Sequence, residues 1–103
     1  MNDENSKVIK LSNQRIVLYL NEPQNSKEWV ANNIKSYDSD GNLNWEIGIL
    51  LEEYASSNKL EYCEDVYFDI LVIAENRLKC IGFNNHCEID LIKSKIVRLM
   101  NNR

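Results

Sequence analysis

Short apolar runs separated by turn residues recur along this chain of 103 residues, at the spacing of β-strands rather than of long helices. Ile16-Val17-Leu18-Tyr19-Leu20 is rich in β-branched and aromatic side chains and stops at Asn21-Glu22-Pro23, where proline denies a ladder donor. Residues 29–37 lead into Asp38-Ser39-Asp40-Gly41-Asn42, and beyond that turn Leu43, Trp45 and Ile47 alternate with Asn44 and Glu46. Period two marks a half-buried strand, so strand, glycine-containing turn and strand predict a hairpin. Residues 66–74 are apolar on both faces apart from Asp69, the pattern of a central strand. Turns at Glu75-Asn76, Asn84-Asn85 and Lys93-Ser94 divide the remainder into apolar segments over 78–83, 86–91 and 96–100.

Residues 66–100 therefore predict a four-stranded antiparallel meander, and residues 8–47 add three or four strands. Residues 47–57 carry two signals. Ile47, Leu50, Leu51 and Tyr54 fall at helical spacing, while the neighbourhood reads as strands, and the pattern leaves both open. The expected fold is mainly β: a single small antiparallel domain of seven or eight strands, in a sandwich, a partly open barrel or one twisted sheet, with one short helix if the helical spacing prevails.

Composition sets the scale. With 44% hydrophobic and 27% charged residues, three Gly and one Pro, the chain is that of an ordinary globular protein. It is predicted to fold as one domain over 1–103, with 1–6 frayed and a radius of gyration of about 13 Å. The segment 1–7 is polar and begins acidic, unlike a secretory signal, and no apolar run approaches the roughly 18 residues of a membrane span. Cys63, Cys80 and Cys87 are odd in number and lack CxxC spacing, which argues against a disulfide framework. The expectation is a cytoplasmic protein without membrane contact.

Charge changes the picture more. The net charge of −4 hides three blocks: residues 1–37 carry five cations and four acids, residues 38–75 ten acids and one cation, and residues 76–103 six cations and two acids. Single-sign charge concentrated on a small domain attracts a partner of opposite sign and speeds its capture. Binding is thereby favoured over chemistry. Nucleic acid is a poor partner for the acidic middle, although Arg77, Lys79, Lys93, Lys95, Arg98 and Arg103 allow a modest basic face.

Candidate chemistry is sparse. Asp38-Ser39-Asp40-Gly41-Asn42 resembles a calcium loop, but aligning Gly41 to the loop glycine places Ser36 at the first ligand position and Ile47 at the last, where a bidentate glutamate is needed. A hairpin turn accounts for the same residues. His86 and Cys87 are adjacent, and neighbours on a strand point to opposite faces, so the histidine cannot activate the thiol; Cys87 shares its face with Ile89 and Leu91 as a core residue. No GxGxxG, P-loop or GxSxG motif occurs. No catalytic residue, metal ligand or cofactor is therefore assigned. Trp45 reads as core, whereas Tyr54, Tyr62 and Tyr67 lie among carboxylates, a composition common at binding hot spots. Asp69, the odd residue of its strand, faces either a paired cation or a concave surface for a partner.

The pattern Tyr37-Asp38-x-x-Gly41-x-x-x-Trp45, followed by Ile89-Asp90 and Lys93-x-x-Ile96, resembles one blade of a quinoprotein-type propeller. A single blade cannot bury its faces alone. Residues 33–98 also resemble small bacterial immunity proteins encoded beside polymorphic or contact-dependent growth inhibition toxins. That resemblance implies an inhibitor that binds a cognate toxin domain 1:1 and covers its active site or substrate groove, with no catalytic residue of its own. Many such toxins are nucleases with basic grooves, which an acidic segment over 52–69 would enter as a phosphate mimic. The expected partner-binding residues are Glu52, Glu53, Tyr54, Glu61, Tyr62, Glu64, Asp65, Tyr67 and Asp69. Two alternatives stand beside it: a non-enzymatic assembly module docking on a larger complex, and a small carboxylate-using enzyme or ligand-binding β-barrel, which requires a deep pocket lined by at least two acids.

Overall fold

Most of the alternating segments become strands, although Ile47 leaves the alternation of its segment to begin a helix. A computed structural model describes residues 6–20, 32–61 and 65–101. Among these, β1 (Ser6–Lys10), β2 (Arg15–Tyr19), β3 (Ile34–Tyr37) and β4 (Leu43–Glu46) form one antiparallel sheet in the order β1-β2-β3-β4. Helix α1 (Ile47–Ser57) follows β4 without a loop. A second meander, β5 (Tyr67–Ala74), β6 (Arg77–Gly82), β7 (Asn85–Asp90) and β8 (Lys95–Asn101), forms the other sheet in sequence order. The mainly β expectation holds, with eight described strands and one helix, and the radius of gyration is 13.3 Å.

Both sheets turn one face to a common core. Ile16, Leu18, Ile34 and Trp45 of the first sheet meet Ile47, Leu50 and Leu51 of α1 and Tyr67, Ile70, Leu78, Cys80, Cys87 and Ile89 of the second in one continuous cluster. Burial of each large aliphatic side chain contributes roughly 1.5–3 kcal/mol, so this cluster dominates stability. Strands β6 and β7 alternate cleanly between buried and half-buried positions, as period two requires. On the outer face of their sheet, Glu88 lies 3.2 Å from Arg77 and 3.8 Å from Arg98.

Polar bonds tie the two sheets together. The buried Asn33 side chain donates from Nδ2 to the carbonyls of Tyr19 (3.0 Å) and Tyr67 (2.7 Å), and its Oδ1 accepts from the Tyr67 amide at 3.0 Å. An amide side chain here behaves as a strand residue would, satisfying the start of β5 from the residue that precedes β3. Lys7 of β1 reaches Asp69 of β5 at 2.7 Å. Trp45 is buried as expected, and its indole N–H has no acceptor among the described residues.

Two expectations about the second sheet are corrected. Strand β5 is an edge strand rather than a central one. Its run of apolar residues divides between Tyr67 and Ile70, which enter the core, and Phe68, Val72 and Ile73, which stay exposed. The β6–β7 turn falls on Phe83-Asn84, with Asn85 already in β7, and neither asparagine adopts positive φ. The reason is Asp65, whose buried carboxylate accepts the amides of Asn84 (3.1 Å) and Asn85 (3.0 Å) and so fixes the turn from outside. Positive φ occurs instead at Asn76 (61°) and Ser94 (53°), in the other two turns of the meander.

The β3–β4 turn is also built on a carboxylate. Asp38 Oδ1 accepts the amides of Asp40 and Asn42, each at 2.9 Å, and Gly41 takes φ 86°, a conformation that costs glycine least. The Asp38 side chain is thus committed to the turn. No helix among the described residues is long and apolar enough to cross a membrane.

Candidate functional site

Helix α1 resolves the ambiguous stretch, and its two faces differ sharply. Ile47, Leu50, Leu51 and Ala55 recur at helical spacing and are buried, with Tyr54 half-buried against them. Strand propensity loses here because these residues share one face only at a period of 3.6. The helix starts without a side-chain cap from Glu46, whose carboxylate instead meets Lys35 at 3.1 Å. Asn32 Oδ1 takes over the role, accepting the Gly48 amide at 2.8 Å. At the other end the amide of Leu60 donates to the Ala55 carbonyl at 2.8 Å and that of Lys59 to Ser56 at 3.4 Å, a Schellman ending in which Lys59 holds φ 56°.

The outward face of α1 carries Ile49, Glu52, Glu53, Ser56 and Ser57, which line a shallow depression of about 500 Å³ wide open to solvent. Glu61 is exposed just beyond the helix, beside exposed Leu60. Glu52, Glu53 and Glu61 have no ion-pair partner among the described residues, whereas Glu46, Asp69 and Glu88 all do. Unneutralised acids around an exposed isoleucine form a surface suited to a cationic partner that also brings apolar area.

The nine expected binding residues therefore separate. Glu52, Glu53 and Glu61 are exposed, and Tyr54 offers only part of its ring because the rest packs on the core. Tyr62 and Glu64 lie outside the described residues. Asp65 and Tyr67 are corrections: both are buried and cannot present their side chains to a partner. Asp65 is spent on the amides of the β6–β7 turn and of Val66. Tyr67 donates its hydroxyl to Asn85 Oδ1 at 2.7 Å, and burial, followed by the neighbouring Cys87, pushes its ionisation well above the ordinary range. Asp69 takes the first of its two alternatives, a paired cation, and the bond from Lys7 holds its carboxyl below the ordinary 3.8.

Pattern reading missed a second surface feature. Phe68, at a β-bulge of β5, and Phe83, in the β6–β7 turn, are 47% and 62% exposed with ring centroids 5.6 Å apart. A large aromatic in a turn otherwise made of asparagine was the available signal, since turn chemistry calls for small or polar residues there. The other missed residue, Ile49, is the apolar side chain that falls off the helical stripe.

Comparison with known proteins brings no relative to this site: no family model, no curated protein and no solved structure matches the chain.

Proposed function

We propose that the chain is an immunity-type inhibitor that binds a basic toxin domain, a nuclease, and covers its substrate groove with the outward face of α1. The observation that carries this reading is that Glu52 and Glu53, exposed and without cationic partners among the described residues, line the open depression at Ile49, with the likewise unpaired Glu61 exposed just beyond the helix. Carboxylates so placed meet the cations that a nuclease groove uses to hold phosphate, and long-range attraction speeds capture. The acidic residues buried or paired elsewhere contribute to stability rather than to recognition.

The test is co-expression with a basic nuclease-toxin domain, sought among the products of the neighbouring genes, combined with association kinetics on the purified pair. Protection of growth and a 1:1 complex whose association slows as salt rises are expected. Reversing Glu52, Glu53 and Glu61 to lysine lowers the association rate by about tenfold or more. Unchanged association of the reversed variant would overturn the assignment of the surface. A second reading, an assembly module docking on a larger complex, draws support from the exposed Phe68–Phe83 pair at the other sheet. Under it, Phe83→Ser abolishes the complex while the lysine reversals leave it intact.

A further inference from the structure

Cys80 and Cys87 stand directly opposite one another in the β6–β7 ladder, and both side chains enter the core with no exposed surface. Both are free thiols, and each is hydrogen-bonded within the core: the pair interacts across the ladder, and Cys87 Sγ also lies 3.8 Å from the Tyr67 hydroxyl. Directly opposed residues of an antiparallel pair have Cα atoms about 4.5–5.5 Å apart, which lies within the roughly 4.4–6.8 Å span of disulfides. Their Cβ atoms point to the same face, about 4.5–5.5 Å apart in an antiparallel pair against the roughly 3.5–4.5 Å of a disulfide, so closing the bond draws the two strands together locally.

We infer that Cys80 and Cys87 are the site of a cross-strand disulfide, formed when the chain folds in the presence of a low-molecular-weight disulfide such as oxidised glutathione. One cysteine thiolate attacks the oxidised glutathione, giving a mixed disulfide and one reduced glutathione. The second thiolate then attacks the protein sulfur of that mixed disulfide, forming the Sγ–Sγ bond and releasing the second glutathione. The protein loses two hydrogens, and one glutathione disulfide becomes two thiols. Folding is the stage at which this happens. In the finished core neither sulfur is accessible, and burial followed by the adjacent Cys87 holds the Cys80 thiol well above its ordinary ionisation range. The bond replaces the contact between the two thiols, while the Tyr67 hydroxyl keeps Asn85 as its acceptor. Spacing alone argues against this bond, because six residues between two cysteines form no recognisable motif; strand register creates it.

The experiment uses the full chain carrying Cys63→Ser, which leaves these two thiols. Denatured, reduced protein is refolded in mixed reduced and oxidised glutathione, and folded, reduced protein is held in the same buffer for the same time. The refolded sample is expected to be lighter by two hydrogen atoms, to show the circular dichroism of the reduced fold, and to yield a linked peptide pair after chymotrypsin cuts at Phe83, between the two cysteines. The sample that was never unfolded retains two titratable thiols. A refolded product that keeps both thiols, carries glutathione or lacks the native spectrum would overturn the site. Equal oxidation of the folded sample would overturn formation during folding.

Discussion

Glu52 and Glu53 on one side, and Asp65 on the other, belong to the same acidic stretch of sequence and do opposite things. The two glutamates extend from an exposed helix face, solvated and without cations beside them among the described residues. Asp65 is buried, and its carboxylate accepts backbone amides from a turn nineteen and twenty residues away. A charge left in water shapes the field around the molecule and contributes little to its stability. A carboxylate withdrawn from water survives only because N–H donors replace the lost hydration, and it then becomes structural.

The sharpest way to break this contrast is to remove the buried carboxylate. Asp65→Ala leaves the amides of Asn84 and Asn85 without their acceptor and is expected to cost about 3 kcal/mol in urea unfolding. A loss no larger than that of a surface substitution would erase the distinction. Asn33→Ala, which removes two bonds between the sheets and one within the first, is expected to cost about 2 kcal/mol by the same measurement. Lys59→Gly relieves the left-handed residue at the end of α1 and should raise stability by about 1 kcal/mol, read as a higher melting temperature. At the small end, Glu52→Lys with Glu53→Lys should shift stability by less than about 0.5 kcal/mol while slowing capture of a basic partner.

Titration sharpens the same comparison. Asp69 and Glu46 are held below their ordinary values of 3.8 and 4.5, in each case first by a hydrogen bond from a lysine, Lys7 and Lys35 respectively. A carboxyl whose folded value is depressed stabilises the fold above its unfolded value, and that contribution fades as pH falls through the lower, folded value. Stability should therefore decline on acidification below about pH 4.5, and Asp69→Asn should flatten part of that decline in acid-titrated unfolding. Because both groups remain partly exposed and are screened by water, the effect is smaller than that of Asp65→Ala. An unchanged slope for Asp69→Asn would mean that the Lys7 bond is not maintained in solution.

Much of the fold was legible in the sequence. The β3–β4 hairpin and the four-stranded meander over 66–100 follow from alternation and turn residues, and Asn76 and Ser94 occupy the expected turns. Trp45, Cys80 and Cys87 alternate into the core as their strands require. The helix at Ile47–Ser57 was half legible, because an apolar stripe of that length satisfies either period until the core chooses a face. The place of β5 at a sheet edge was not legible, since apolar residues on both faces read alike whether covered by strands or left exposed. Glu52, Glu53 and Glu61 were legible as surface acids, whereas the burial of Asp65 and Tyr67 depends on bonds to Asn84 and Asn85, which no local pattern encodes.

Local order is what the amino-acid sequence by itself determined: which segments become strands, where most of the turns fall, and that ten acids crowd residues 38–75. These follow from side-chain period and backbone preference, which act over a few residues. Only the tertiary structure decided which acids meet water, which meet Lys7 or Lys35 and which meet backbone amides, and that Cys80 faces Cys87. Those outcomes depend on register and on the packing of two sheets and a helix around one core, so distance in space, rather than distance along the chain, assigns each charge its role.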